Sequence, residues 1–187
     1  MRKINEIFYS LQGEGFHTGT AAVFVRFSGC NLKCDFCDTR HEEGTWMEDA
    51  AIIETVNQYP AKFVILTGGE PSLWIDDELI DRLHQAGKQV CIETNGTRPL
   101  PKAIDWITCS PKMGAPVVLE RANEIKVVFV GQDVEAYRQI PADHYFLQPC
   151  SGQNTQEVID YILAHPDWRL HPQAPNTPLV HSSNRRL

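Results

Sequence analysis

Six short apolar and β-branched runs recur along the chain, at Ala22–Phe27, Phe63–Thr67, Gln89–Thr94, Trp106–Cys109, Ile125–Val130 and Tyr145–Gln148. Most are nearly continuous, as in Phe63-Val64-Ile65-Leu66, rather than alternating with polar residues. Strands of that composition need cover on both faces, which is the condition of a parallel sheet. Helical periodicity falls between several of them. Thr45-Trp46-Met47-Glu48 has the form of a capping box ahead of Ile52, Ile53 and Val56. Asp76 predicts a cap for a helix with Leu79, Ile80 and Leu83 on one face and Gly87 at its end. Asn154, with Glu157 three residues on, predicts another, with Val158, Ile159 and Ile162 facing inward; a short helix is expected around Val134–Gln139.

Strands alternating with helices predict a parallel α/β sheet. Right-handed crossovers would curl six strands into an open layer. With only three or four helices, the expected fold is a partial, open parallel (β/α) barrel. Ligands in such sheets sit at the carboxyl ends of the strands. A single domain over residues 1–187 is expected. Its opening segment, about residues 4–20, should lie over the barrel mouth, and its tail from about His171, rich in Pro, Asn and Ser, reads as coil.

Composition narrows the function. The 187 residues are 42% hydrophobic and 22% charged, ordinary for a globular chain with a substantial core. A net charge of −7 argues against sequence-independent nucleic-acid binding, which needs clustered Lys and Arg. No apolar run approaches the roughly 18 residues of a membrane span, and with no long apolar stretch behind Met1-Arg2-Lys3 no signal peptide is expected. The expectation is a cytoplasmic protein with no membrane partner. There, its six cysteines stay reduced rather than forming disulfides.

Three of those cysteines, Cys30, Cys34 and Cys37, fall on one loop with the spacing Cys-x3-Cys-x2-Cys. Three thiolates can hold three irons of a cubic cluster and leave the fourth iron open to a small molecule. The spacing also admits a zinc site completed by a distant Cys or His, or three buried thiols without metal. Thr67-Gly68-Gly69-Glu70-Pro71 follows the second run, and its glycines permit close backbone approach or an ordinary turn. Cys109-Ser110-Pro111-Lys112 follows the fourth; it offers a hydroxyl and an ammonium for a polar ligand, or is a Pro turn with a solvated Lys. Glu93-Thr94-Asn95-Gly96 ends the third run with a turn signal, and Glu93 is placed to reach a pocket.

The cysteine spacing, with Phe36 before the third cysteine, resembles the signature of the radical S-adenosylmethionine (SAM) superfamily. Thr67–Pro71 resembles the segment that binds the amino group of SAM there. The resemblance implies a 4Fe–4S cluster on Cys30, Cys34 and Cys37, and SAM contacts from Phe36, Cys37, Asp38, Gly69, Ser110, Pro111, Lys112 and Gln148. The helix count implies fewer helices than a full radical SAM barrel.

Ser10-Leu11-Gln12-Gly13-Glu14-Gly15, together with Cys37-Asp38-Thr39, is similar to the 7-carboxy-7-deazaguanine synthase family over residues from about 4 to 173. That family turns 6-carboxy-5,6,7,8-tetrahydropterin into 7-carboxy-7-deazaguanine and ammonia, in the queuosine and 7-deazapurine pathway. The resemblance implies that backbone groups of Leu11, Gln12 and Gly13 read the pterin edge. It implies that Arg26 pairs with the substrate carboxylate, that Thr67 touches substrate and that Thr39 binds Mg2+. Plainer readings are a hairpin turn for Gln12–Gly15, a surface ion pair for Arg26 and a local cap for Thr39. The expected partners are a reductant such as a flavodoxin and a second copy of the chain in a homodimer. Ala174-Pro175-Asn176 departs from the family pattern after Gln173. Two competing functions are an activase that places a glycyl radical on a protein and a non-catalytic zinc module.

Overall fold

The structure is a computed structural model that describes residues 1–34, 37 and 43–171. In chain order its elements are β1 (Arg2–Leu11), β2 (Ala21–Phe27), β3 (Thr45–Met47), α1 (Asp49–Asn57), β4 (Phe63–Gly68), α2 (Asp77–Gln85), β5 (Gln89–Thr94), β6 (Trp106–Cys109), β7 (Ala122–Phe129), β8 (Ala142–Pro149), α3 (Thr155–Ala164) and β9 (Arg169–Leu170). Short 3-10 turns lie at Pro71–Leu73, Glu135–Gln139 and Cys150–Gly152. These strands form one sheet in the order β3-β1-β2-β4-β5-β6-β7-β8-β9. From β2 to β9 every neighbour is parallel; β1 and β3 add an antiparallel margin.

All six expected strands are present, in a parallel sheet with few helices. Their side chains alternate between two buried faces. On the outer face Val23, Val25, Val64, Leu66, Val90 and Ile92 pack with Ile52 and Val56 of α1 and Leu79, Ile80 and Leu83 of α2. Farther along the sheet, Ile125, Val127 and Leu147 pack with Val158 of α3 and Trp168. The inner face is graded. Near the amino ends Ala22, Phe24, Ile65 and Cys91 form a small apolar cluster with Phe8, Phe63 and Trp106. Higher up, Arg26, Thr67, Glu93, Lys126 and Gln148 face a cavity.

The opening segment is not a loop over the barrel mouth. Residues 2–11 are β1, antiparallel to β2, with Leu11 opposite Ala21 and a bulge between Ile4 and Glu6. The connection Gln12–Thr20 therefore leaves from the amino ends of the barrel strands and folds into the interior from below. Phe16 stacks on Trp106 and His144 at centroid distances of 5.2 and 4.5 Å, and His17 packs on Phe63 and Trp106. Those partners sit at or near the starts of β4, β6 and β8, so the hairpin tip floors the barrel.

Three local expectations change as well. Thr45-Trp46-Met47 is strand β3, paired with Ile4, Lys3 and Arg2, and Glu48 makes no side-chain cap to α1. The free edge of β1 satisfies that backbone better than a capping box would. Asn154 stands at the start of α3 but does not cap it: its Oδ1 accepts from Cys150 N and its Nδ2 donates to Phe129 O, both at 2.8 Å. The helix expected around Val134–Gln139 is the 3-10 turn Glu135–Gln139. The cap at Asp76 is present, accepting from Leu79 N at 3.0 Å.

Arg2 locks the sheet margin to the helices. The residue is 7% exposed, and its guanidinium binds both oxygens of Asp49 at 2.8 Å, Asp76 Oδ1 at 2.8 Å and the Trp74 carbonyl. The Arg2 hydrogen bond holds the Asp49 carboxyl below its ordinary value of 3.8. Burial opposes the charge on Asp76, but Arg2 and the Leu79 N–H outweigh it and hold that carboxyl low too. A carboxylate with a depressed folded pKa stabilises above its unfolded pKa, and that contribution disappears as pH falls through the folded value. Asp49→Asn is expected to cost about 2 kcal/mol at pH 7, between the cost of exposed and of fully buried pairs. Denaturant unfolding should show the gap from the native protein closing as the pH drops below 3.8; a gap unchanged by acid would rule the pair out.

Candidate active site

A cavity of about 480 Å³ opens at the carboxyl ends of the strands and reaches down to the hairpin tip. Its upper wall is built by two chain stretches in backbone contact. β2 ends at Phe27, and the chain turns through Ser28 and Gly29, at φ +85°, into Cys30. β4 ends at Gly68, at φ +118°. Gly69 N donates to Phe27 O at 3.0 Å and Glu70 N to Gly29 O at 2.9 Å. A Cβ on residue 69 would overlap the Gly29 carbonyl, so only glycine allows this approach.

Glu70 braces the contact from behind. It is fully buried, and its carboxylate accepts from Ser72 N at 3.0 Å, Thr94 Oγ1 at 2.7 Å and Asn95 N at 2.7 Å. Asn95 Nδ2 donates to Asn31 Oδ1 at 3.0 Å, and Asn31 Nδ2 to Thr97 Oγ1 at 2.8 Å. Trp74 Nε1 donates to Ser28 O at 2.6 Å. The residues flanking Cys30 are thus held by β4, by the turn after β5 and by the chain ahead of α2.

Cys30, Cys34 and Cys37 all line the cavity, and Cys37 N donates to Cys34 O at 3.1 Å. Burial pushes the Cys30 thiol up, and Glu70, Cys34 and Cys37 add to it, so metal binding there must displace a proton. Among the described residues no three His, Cys, Asp or Glu side chains group as a single ion requires. Three thiolates that each bind a different iron need not converge on one point. Beside them, Lys112 Nζ donates to Ser110 O at 2.7 Å; burial first, then Lys126, lowers its pKa. A half-buried cation in the cavity wall fits a ligand carboxylate.

Deeper in the cavity the charges interlock. Lys126 pairs with Glu14 of the hairpin tip. Burial opposes the ammonium, but Glu14, Glu93 and Glu124 outweigh it and raise its pKa, while Lys126 holds the Glu14 carboxyl low. Both oxygens of Glu93 are oriented, one by Gln12 Nε2 at 2.9 Å and one by Thr67 Oγ1 at 2.8 Å. Arg26 Nε pairs with Glu6 Oε1 at 2.9 Å, and its guanidinium lies 5.6 Å from the Phe8 ring centre.

Of the residues singled out from the sequence, Leu11, Gln12, Gly13, Arg26, Thr67, Gly69, Ser110, Lys112 and Gln148 line this cavity with the three cysteines. Pro111 is buried and does not. Phe36, Asp38 and Thr39 lie outside the described residues, as does the chain beyond His171. The backbone of Gln12 is engaged within the hairpin, its N–H with Thr20 O at 2.8 Å and its carbonyl with Gly19 N at 2.7 Å. Its side chain, rather than its backbone, meets the cavity network. Sequence reasoning missed Glu14, Glu124 and Lys126. The signal for the last two was a pair of charges at alternate positions in a strand that is otherwise apolar but for Asn123. His171, where the expected coil tail begins, is 1% exposed, and its backbone N–H donates to Leu147 O at 2.8 Å.

Thiols sharing a wall with a glycine shelf and a half-buried lysine, at the carboxyl end of an open parallel barrel, make this a radical SAM protein. The radical SAM superfamily matches residues 24–164. The 7-carboxy-7-deazaguanine synthase of Bacteroides thetaiotaomicron is 68% identical over 173 residues, 92% of this chain and 95% of that protein. The synthase of Bordetella pertussis is 41% identical over 198 aligned positions, 91% and 94% of the two chains. The crystal structure of QueE from Escherichia coli superposes with a TM-score of 0.77 at 31% identity, covering 91% of this chain and 92% of that one. The chain belongs to the 7-carboxy-7-deazaguanine synthase family. As a radical SAM protein it uses a 4Fe–4S cluster and SAM, together with a reductant and a small-molecule substrate.

The Gly69–Gly29 contact yields a direct test. Gly69→Ala must push the Cys30 loop away from β4, at about 1–3 kcal/mol of overpacking. Anaerobically reconstituted Gly69→Ala protein is expected to hold less than half the iron of the native protein and to bind SAM weakly. Full iron content and native SAM affinity would show that the contact does not shape the site.

Proposed function

We propose that this protein converts 6-carboxy-5,6,7,8-tetrahydropterin to 7-carboxy-7-deazaguanine with release of ammonia, in 7-deazapurine and queuosine synthesis. One observation carries the reading. The three thiols and the charged barrel interior face the same cavity of about 480 Å³, so a ligand on the cluster and a planar polar heterocycle below it would touch. Together, the reduced cluster and SAM supply hydrogen-atom abstraction when bound.

The chain's own residues then bind and orient. Cys30, Cys34 and Cys37 hold three irons. Lys112 meets the SAM carboxylate, and Ser110, Gly69 and Gln148 complete that side with Phe36, Cys37 and Asp38. Below, the oriented carboxylate of Glu93 accepts from the donor edge of the pterin. Arg26 takes the substrate carboxylate, exchanging part of its pairing with Glu6. Thr67, Leu11, Gln12 and Gly13 bound the ring, and Thr39 would hold Mg2+, a hard cation suited to a hydroxyl oxygen. A flavodoxin-like donor supplies the electron, and the chain works as a cytoplasmic homodimer. No helix among the described residues is long and apolar enough to cross a membrane.

Anaerobic incubation with the carboxytetrahydropterin, SAM, Mg2+ and reductant is expected to give a product lighter by one ammonia, with SAM recovered. Cys34→Ala should lose the brown cluster colour and turnover together. Turnover by a colourless Cys34→Ala protein, or no mass change with the native one, would overturn the reading. Chelation of divalent ions should slow turnover and added Mg2+ should restore it.

A further inference from the structure

Beneath the main cavity lies a second one of about 10 Å³, the room of one water molecule. Gln12, Glu14 and Glu93 separate the two, because each lines both. The rest of the polar wall is Thr108, Glu124, His17 and Trp106. Two buried nitrogens of this wall, His17 Nε2 and Trp106 Nε1, have no hydrogen-bond partner among the described residues. Buried polar groups left unpaired are costly, and these two are complementary to one water. The indole N–H only donates, and Nε2 of a neutral imidazole accepts. Burial, and then His144, hold His17 below its ordinary pKa and so keep it neutral.

Glu124 stands at the same chamber. It is 3% exposed and accepts from Phe16 N at 2.8 Å and Thr108 Oγ1 at 3.1 Å. Burial raises its pKa; Lys126 opposes and Glu93 adds to the rise. The remaining titratable groups facing it are Glu14 and His17 across the chamber, the Cys91 thiol, which burial pushes up to about 12, and His144, its neighbour in register on β8. His17 is partly exposed, so it connects this buried carboxyl to the barrel floor.

We propose that the chamber holds one ordered water and that Glu93, this water, Glu124 and His17 form a proton conduit from the substrate cavity to solvent at the amino end of the barrel. The role rests on the function proposed above. Loss of ammonia breaks one C–H and one C–N bond and leaves a C=C bond. The carbon's proton goes to a base, and the departing nitrogen takes one up. Glu93 borders the reacting ring, and the chamber lets it exchange protons away from the SAM side.

Two measurements test this. A crystal structure of the anaerobic protein that resolves waters is expected to show one water bonded to both Trp106 Nε1 and His17 Nε2; a dry chamber overturns the proposal. In turnover assays, Glu124→Gln is expected to lower kcat about 10- to 100-fold with KM changed less than about 2-fold, and to abolish the acid limb of the kcat profile. His17→Phe keeps the aromatic floor and should weaken the same limb, with iron content and SAM binding native in both variants. Native pH profiles in both variants overturn the conduit. A native protein that binds SAM but leaves the pterin unchanged strikes the functional reading instead, while the water still decides the chamber.

Discussion

Everything at the mouth of this barrel depends on two backbones lying closer together than side chains permit. Gly69 rests against the carbonyl of Gly29, one residue before the first cysteine. Two backbone hydrogen bonds, Gly69 N to Phe27 O and Glu70 N to Gly29 O, extend the β2–β4 ladder into the loops. The thiol-bearing loop and the glycine shelf therefore move as one piece. Glu70, fully buried and with three donors on its carboxylate, is part of that joint rather than of the ligand surface. A buried carboxylate is tolerable only when its lone pairs are satisfied, and here they are.

The barrel interior answers the same requirement with ion pairs. Lys126 is nearly buried on β7, yet it faces Glu14, Glu93 and Glu124, which together outweigh the loss of water around it. The hairpin tip is what brings Glu14 there. Removing it would take away the ion-pair partner of the buried ammonium, so the hairpin both floors the barrel and completes its charge network. Arg2 does similar work at the sheet margin, where Asp49 and Asp76 tie the starts of α1 and α2 to β1.

Much of this architecture is legible in the chain. Val64, Ile65 and Leu66 are buried on both faces of β4, as a continuous apolar run implies. Asp76 caps α2, and Leu79, Ile80 and Leu83 form its buried face. β1 was hidden because its residues mix charged, aromatic and aliphatic types, and its bulge between Ile4 and Glu6 breaks the two-residue period. β3 was hidden by a local pattern that reads as a helix cap, until the free edge of β1 claimed those backbone groups. Asn154 has the right side chain for a cap but spends it on Cys150 and Phe129.

Chemistry encoded within a few residues is what the sequence determined unaided: three thiols on one loop, two glycines after a strand, a Ser-Pro-Lys turn. Neighbours along a chain cannot separate, so their spacing is already geometry. The inner network was decided only by tertiary structure. Lys126 meets Glu14 across 112 positions and Gln12 meets Glu93 across 81. Such pairs depend on which way each strand's pleat points, on the register between strands and on a hairpin entering from below. No local pattern carries those choices, because they follow from how the whole sheet curves around its own charged centre.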